Sequence, residues 1–174
     1  MNQAVNFSSI ENNLIFEDHP NPSWARQKWI SLDGEWTIEH QRQKHCIQVP
    51  YPIGSELSGV HFKDKGTFKY SKSIEIMKLF EKKRFILNVG ACDYSTTVFV
   101  NHARIGRHIG GYSSFTFDIT EALHQGTNEL EFTVQDSHSP FQVRGKQTFL
   151  RKPFYVWYNG ISGIWQNVWM EIVD

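Results

Sequence analysis

The sequence predicts an antiparallel β-sandwich, and three observations favour this fold class. Aromatic residues make up 14% of the 174 residues, and aromatic side chains favour pleated, half-buried surfaces. About eight short segments with strand character follow one another, separated by turn residues. No helices alternate with them in the way that a parallel sheet requires. We therefore expect one all-β domain, and the chain is long enough to bury its core.

The first two strands are predicted on either side of residue 45. Asp33-Gly34 is a turn signal, and WTIEH after it has the composition of a strand. CIQV is a second short strand, which ends where Pro50 and Pro52 prevent further pairing. Residues 1–20 show no sustained period, so we expect an N-terminal leader that lies on the domain or frays, followed by a domain over residues 21–174.

The middle of the chain contains the clearest strand patterns. TFKYSKSIEI alternates over its whole length, and KRFILNVG places Phe85, Leu87 and Val89 on one face. YSTTVFVNHARIGRH is predicted to be a hairpin around Asn101-His102, because Asn tolerates the positive φ of a tight turn. These segments would supply the central strands of the sandwich.

The last third begins with the strand SSFTFDI. Thr120 is then a candidate N-cap for one helical turn, EALHQG, which Gly126 would stop. NELEFTVQ and IWQNVWMEIV are strands with a regular alternation. The inward positions of the first would be Leu130, Phe132 and Val134, and the second places Val168, Met170 and Ile172 on one face.

Composition excludes several classes of function. The formal net charge is zero and the basic residues are scattered, so no basic surface for nucleic acid is expected. No apolar run approaches the roughly 20 residues that span a bilayer. The first residues lack a basic and apolar leader, so no secretory signal is expected. Two cysteines are too few for a disulfide framework, and we expect a cytoplasmic protein.

The chemistry-bearing residues form no recognisable catalytic or metal-binding pattern. The eight histidines are scattered without the spacing of a zinc site. Ser162 in GISGI lacks the strand, turn and helix of a nucleophile elbow, and IGRHIGG precedes no helix that could bind a dinucleotide phosphate. Most carboxylates have a simpler role at a turn or on a solvated face. We therefore expect no catalytic residue, no metal and no cofactor.

The segment from Asp136 to Gly163 is the longest without strand character, and loops of this length are usually functional or disordered. It contains many aromatic residues, which disordered segments avoid. Cations and amides accompany these rings, and sugar hydroxyls require such directional donors and acceptors. Two interpretations remain open: the rings cap one end of the sandwich, or they contact a ligand.

Five motifs resemble the N-terminal domain of glycoside hydrolase family 2, the β-galactosidase and β-glucuronidase group. They occur in the order that the family has, over most of the chain from about residue 21. The motifs are SLDGEW, VPYPIGSELSG, NVGACDYSTTVFVNHARIGRHIGGYSSFTFDIT, RGKQ and SGIWQNVWMEIV.

The resemblance implies a jelly-roll β-sandwich of the galactose-binding type. In the family an immunoglobulin-like domain and a TIM barrel follow, and the barrel carries both catalytic glutamates of a retaining mechanism. We expect the chain to end before the second domain and to be inactive alone. The family's loops before the last strand help to shape the sugar pocket. The matching positions are Arg144, Lys146, Gln147, Trp157, Tyr158 and Asn159.

The leading hypothesis is a non-catalytic domain that docks against the other domains of a β-glycosidase and contributes to its sugar pocket. Its partners would be a carbohydrate and those domains, and the preferred sugar stays open because one fold can host several specificities. An autonomous carbohydrate-binding module and a structural interaction domain are the alternatives.

Overall fold

The computed structural model describes residues 3–5, 19–62, 65–77, 82–150 and 152–174. Most of the predicted leader, residues 6–18, lies outside these described residues. The described part of the chain forms strands β1 (Gln3–Val5), β2 (Trp29–Ser31), β3 (Gly34–His40), β4 (Gln43–Val49), β5 (Thr67–Ile76), β6 (Arg84–Val89), β7 (Cys92–Asp93), β8 (Ser95–Val100), β9 (Ala103–Ile109), β10 (Phe115–Asp118), β11 (Gly126–Gln135), β12 (Gly163–Ile164) and β13 (Val168–Val173). Short 3₁₀ turns cover Pro22–Trp24, Glu56–Ser58 and Thr120–Ala122.

These strands form two main sheets and one short pair. The larger sheet has the order β4-β3-β5-β11-β8-β9, and β1 lies parallel to β5 beside the same sheet. The second sheet has the order β10-β6-β13-β2, and β12 pairs with β7. All named pairings other than β1 with β5 are antiparallel. The predicted antiparallel β-sandwich is confirmed.

One hydrophobic core lies between the two main sheets. The larger sheet contributes Trp36 and Phe132, whose ring centroids are 5.4 Å apart in an edge-to-face arrangement. The second sheet contributes Phe85, Leu87 and Met170 to the same cluster. Period-two alternation places these side chains inward, so the predicted inward faces of β6, β11 and β13 are confirmed.

Two tight hairpins connect neighbouring strands of the larger sheet. Asn101 and His102 have φ values of 49° and 67° between β8 and β9, which confirms the predicted turn. Gln41 and Arg42 adopt φ values of 50° and 66° between β3 and β4. β4 begins at Gln43 and not at Cys46 as predicted, because the polar residues before Cys46 lack both strand alternation and the usual turn residues.

Two details of the sequence prediction are wrong. Thr120 does not cap the helical turn: Ile119 precedes the turn, and the Thr120 hydroxyl accepts a hydrogen bond from the Phe85 N–H at 2.8 Å. The Thr120 hydroxyl therefore connects this turn to β6. The turn ends at Ala122, and Gly126, with a φ of 96°, begins β11 instead of stopping a helix.

The segment after residue 18 packs on the outer face of the second sheet. His19 is buried, and its Nε2 lies 3.1 Å from Glu171 Oε1 on β13. Arg26 Nε and Trp169 Nε1 also donate to the Glu171 carboxylate, each at 2.9 Å. This cluster holds the start of the described domain against its last strand.

Candidate functional site

The candidate site is the segment between β11 and β12, residues 136–162, which we call the site loop. Its first residue, Asp136, and its last two, Ile161 and Ser162, meet at one buried lysine. Lys65 Nζ lies 2.5 Å from Asp136 Oδ2 and donates to the Ile161 carbonyl at 3.0 Å. The Ser162 hydroxyl donates to the same carboxylate oxygen. Lys65 therefore joins the two ends of the loop, and its own segment precedes β5.

Gln147 holds the middle of the site loop. Its Nε2 donates to Asp93 Oδ2 at 2.8 Å and to the Tyr112 hydroxyl oxygen at 2.9 Å. Its Oε1 accepts a hydrogen bond from the Ile161 N–H at 2.7 Å. Because both N–H groups and the oxygen have partners, this buried amide positions the loop against β7 and the segment after β9.

Asp93 lies in a poorly solvated setting below Gln147. Burial raises the pKa of the Asp93 carboxyl above its ordinary value, and the negative charge of Asp136 adds to that effect. The hydrogen bond from Gln147 and the positive charges of Lys65 and Arg144 act in the opposite direction. Sequence patterns did not single out Asp93 or Lys65, because neither belongs to a recognisable catalytic spacing.

Arg144 is also buried and does not lie at the surface of the loop. Its Nη2 donates to the carbonyl oxygens of Ser137 and Ser139 and to Gln142 Oε1. Its Nε and Nη1 have no hydrogen-bond partner among the described residues. The guanidinium therefore closes the turn at residues 137–142, and its backbone carbonyl accepts a hydrogen bond from the Tyr112 hydroxyl at 2.6 Å.

The other four predicted positions lie on the outside of the loop. Lys146, Tyr158 and Asn159 are exposed and Trp157 is half-buried. The Lys146 ammonium lies 6.0 Å from the centroid of the Tyr158 ring, near the limit of a cation–π contact. The structure thus brings the six predicted residues to one loop, but it separates two buried positioning side chains from four outward ones.

Two backbone hydrogen bonds fix Tyr158 in place. Its N–H donates to the Lys146 carbonyl at 2.9 Å, and its carbonyl accepts from the Thr148 N–H at 2.8 Å. The Tyr158 side chain is nevertheless 67% exposed. A rigid backbone that presents an exposed ring is typical of a contact surface, since an exposed ring stabilises the fold very little.

An aromatic cluster supports the outward face. The Trp157 ring lies 6.0 Å from Phe149 and is stacked on Phe154 with centroids 6.3 Å apart. Phe141 and Tyr155 are 93% and 99% exposed. Some rings of the loop therefore pack on each other and others face solvent, and contact of the exposed rings with a ligand stays a prediction.

A cavity of about 390 Å³ lies beside the end of the site loop. The loop contributes Asn159, Gly160 and Ser162 to its wall. The segment before β5 contributes Phe62 and Lys65. Of the predicted site residues, Asn159 alone is among those that line this cavity.

Trp165 and Gly163 connect the site loop to the last strand. Gly163 has a φ of 82°, and the hydroxyl of Tyr70 lies directly against the position that a Cβ would occupy. The prediction that Trp165 belongs to the closing strand is wrong, because Trp165 lies between β12 and β13. Its indole N–H donates to the Gly111 carbonyl at 2.7 Å, so the ring holds the glycine-rich segment after β9.

Other kinds of site find little support in the described residues. No group of three or more His, Cys, Asp or Glu residues that could hold a metal ion is found in the described ranges. No helix of the described residues is long and apolar enough to cross a membrane. Both cysteines are free, and burial raises the pKa of the Cys92 thiol to about 12.

The two sheets and the long loop held by Lys65 and Gln147 define a β-sandwich domain with one ordered loop between β11 and β12. The family model described as glycosyl hydrolases family 2, sugar binding domain, matches residues 2–171. The chain therefore belongs to glycoside hydrolase family 2 and is its N-terminal sugar-binding domain. The match confirms the resemblance, and it begins earlier than residue 21.

Known relatives agree with this family. The chain is 25% identical over 156 residues to a β-glucuronidase of Bacteroides fragilis, covering 86% of this chain and 21% of that protein. It is 30% identical over 105 residues to a β-galactosidase of Thermoanaerobacter pseudethanolicus, covering 60% and 14%. The fold is similar to that of a Bacteroides uniformis β-glucuronidase, with a TM-score of 0.63 and 21% identity over 83% of this chain and 18% of that one.

Proposed function

We propose that this chain is the non-catalytic N-terminal domain of a β-glycosidase, that it docks against the catalytic part, and that its site loop helps to shape the sugar pocket. The family membership and the small share of each relative that the chain spans, 21% and 14%, support this role. The relatives carry the names β-glucuronidase and β-galactosidase, so a β-linked sugar is the proposed ligand.

The observation that carries the proposal is the exposure of Tyr158 on a backbone that is held on both sides. A ring that only capped the sandwich would be buried by its neighbours, as Trp36 and Phe132 are. Tyr158 instead presents 67% of its surface to solvent. A flat ring of this kind suits the apolar face of a pyranose.

The six proposed site residues divide into two groups by burial. Arg144 and Gln147 act on the sugar indirectly, because their polar groups hold the loop in place. Lys146, Trp157, Tyr158 and Asn159 are the positions from which a contact is possible. Asn159 offers an exposed amide with two donors and an acceptor for hydroxyl groups.

Docking is supported by the apolar side chains that the loop exposes. Phe141, Val143, Tyr155 and Val156 are between 66% and 99% exposed. Exposed apolar patches commonly mark protein contact sites. We propose that the catalytic part of the same protein covers them, and that the protein is cytoplasmic, which its two free cysteines support.

A sugar titration of the 174-residue chain tests the proposal. Methyl β-galactoside and methyl β-glucuronide are added to ¹⁵N-labelled protein, and the amide signals are followed. We expect shifts within residues 136–162 and smaller shifts in the Asn159→Ala variant. The Trp24→Ala variant lacks an exposed aromatic residue that is distant in sequence from the loop, and it should show the same shifts as the unchanged chain. Chromogenic forms of both sugars should remain uncleaved.

Two results would contradict the proposal. Hydrolysis well above the buffer rate would show that the chain carries its own catalytic groups. Sugar-dependent shifts confined to strands away from the site loop would show that this loop is not the contact surface.

A further inference from the structure

We propose that the cavity beside Lys65 is the subsite that holds one pyranose ring, and that Lys65 donates a hydrogen bond to one of its hydroxyl groups. The inference rests on the proposed function and names a part of the site that the six predicted residues do not include. It places this ring at the end of the loop, beside Asn159, as a subsite separate from the exposed face around Tyr158.

The size of the cavity is sufficient for one sugar ring. Its volume of about 390 Å³ lies within the range of about 300–1,000 Å³ that is common for small-molecule pockets. Its wall includes Ile53 and Gly54 after the proline-bounded turn and Asn159 and Gly160 of the site loop. The ring would therefore lie between two segments that come together only in the folded chain.

Lys65 provides the directional contact. An ammonium group has three donors, and two of those of Lys65 are used by Asp136 Oδ2 and the Ile161 carbonyl. The third has no partner among the described residues. The side chain is 9% exposed and lines the cavity. The third donor therefore faces the cavity, where a ligand hydroxyl can accept a hydrogen bond from it.

Asp136 holds this donor in place and at the same time sets the kind of ligand. Its carboxylate is 1% exposed and pairs with Lys65 from behind the cavity wall. The charges of Lys65 and Asp136 cancel. The pair therefore gives the cavity a fixed hydrogen-bond donor but no net charge. Such a donor suits a hydroxyl group, which does not require charge compensation.

The remaining wall offers a flat ring and further polar groups. Phe62 and Phe68 are stacked at 5.8 Å with an angle of 15° between their planes, and both line the cavity. The half-buried Phe62 ring suits the apolar face of a pyranose. Asn159 and the hydroxyl oxygen of Ser162 lie across the same space and can hydrogen-bond to its hydroxyl groups.

Two substitutions test the cavity without depending on one another. Lys65→Met removes the donor, and Leu150→Trp fills the cavity from a half-exposed position while Lys65 and Asp136 stay paired. With methyl β-galactoside and methyl β-glucuronide as probes, each variant should weaken binding by about tenfold or more, which corresponds to about 1.4 kcal/mol. Both probes are expected to respond, because the contact is to hydroxyl groups.

Two variants serve as comparisons. Lys69→Met removes an exposed lysine of β5 that pairs with Glu131 and should leave sugar binding unchanged. Tyr158→Ala removes the exposed ring of the outer face and should have a smaller effect than Leu150→Trp. Circular dichroism confirms that each variant is folded, and Leu150→Trp decides the question if Lys65→Met unfolds.

The outcomes separate this inference from the proposed function. If Tyr158→Ala loses sugar binding and Leu150→Trp keeps it, the proposal that the cavity holds the sugar ring is wrong. The site loop would still be the contact surface in that case. The absence of any shift up to about 50 mM sugar, far above a millimolar dissociation constant, would also overturn it. Shifts confined to strands away from both the site loop and the residues that line the cavity would instead contradict the proposed function itself.

Discussion

Lys65 Nζ lies 2.5 Å from Asp136 Oδ2, and both side chains are almost completely buried. The pair joins the start of the site loop to its end, because Lys65 also contacts the Ile161 carbonyl and Ser162 donates to Asp136. A buried pair contributes little compared with apolar packing, but the loss of one partner leaves an uncompensated charge. The geometry of the loop therefore depends on this contact.

Replacing Lys65 by Met is expected to lower the free energy of unfolding by about 3–5 kcal/mol, because Asp136 is left buried without its cation. Urea unfolding at neutral pH measures the change. Lys69→Met is the matched control, since its partly exposed pair with Glu131 should be worth at most about 1 kcal/mol. Equal losses in the two variants would show that burial of the Lys65 pair is not important.

The Asp93 and Asp118 carboxyl groups should have opposite effects on stability as pH changes. Burial raises the pKa of Asp93, so the folded state binds its proton more tightly than the unfolded state does. The contribution of Asp93 to the free energy of unfolding is therefore present at low pH. It is lost as the pH rises from the ordinary pKa of 3.8 through the raised pKa of the folded state. The hydrogen bond from Thr120 lowers the pKa of Asp118, so that contribution is lost as pH falls through the lowered value.

Asp93→Asn keeps an acceptor for Gln147 and should remove the loss of stability on the alkaline side. Asp118→Asn should remove the loss on the acidic side. Urea midpoints measured from about pH 3 to about pH 8 for both variants and the unchanged chain check the two signs. Profiles that change in the same direction would contradict the assignment.

Replacing Gln147 by Ala should loosen the site loop. The Ile161 N–H and the Asp93 carboxylate would each lose a buried partner, and a loss of about 1–3 kcal/mol is expected for each such group. Faster hydrogen exchange at Ile161 would report the local effect. Gln135→Ala, at an exposed position next to the loop, should change neither quantity, and an equal effect there would argue against the role of Gln147.

Gly163→Ala should be strongly destabilising because the new Cβ would meet the Tyr70 hydroxyl and φ is 82°. Gly34→Ala is the matched control, with a φ of 90° but no atom within 4 Å of its Cβ position. The control should cost about 1 kcal/mol for backbone strain alone. We expect Gly163→Ala to lower the free energy of unfolding by more than about 3 kcal/mol, because the clash of the new Cβ with Tyr70 adds to the backbone strain. Similar losses in both variants would contradict the close contact.

The strands could be predicted because their signals are local. The alternation of β5 and β11 was visible in consecutive residues, and Asn101 marked the hairpin turn. β4 was predicted too short, since an exposed edge strand can be polar and its turn at Gln41 and Arg42 lacks the usual residue types. Thr120 was misplaced because its hydroxyl could serve either a helix cap or a partner in β6.

The sequence by itself determined the fold class, the family motifs and the loop that is proposed as the site. Tertiary structure alone decided which loop residues face outward. It buried Arg144 and Gln147, left Tyr158 and Asn159 exposed, and brought Lys65 to the loop from a distant segment. The physical reason is that side-chain alternation depends on adjacent residues, whereas burial and pairing depend on which distant segments the fold brings together.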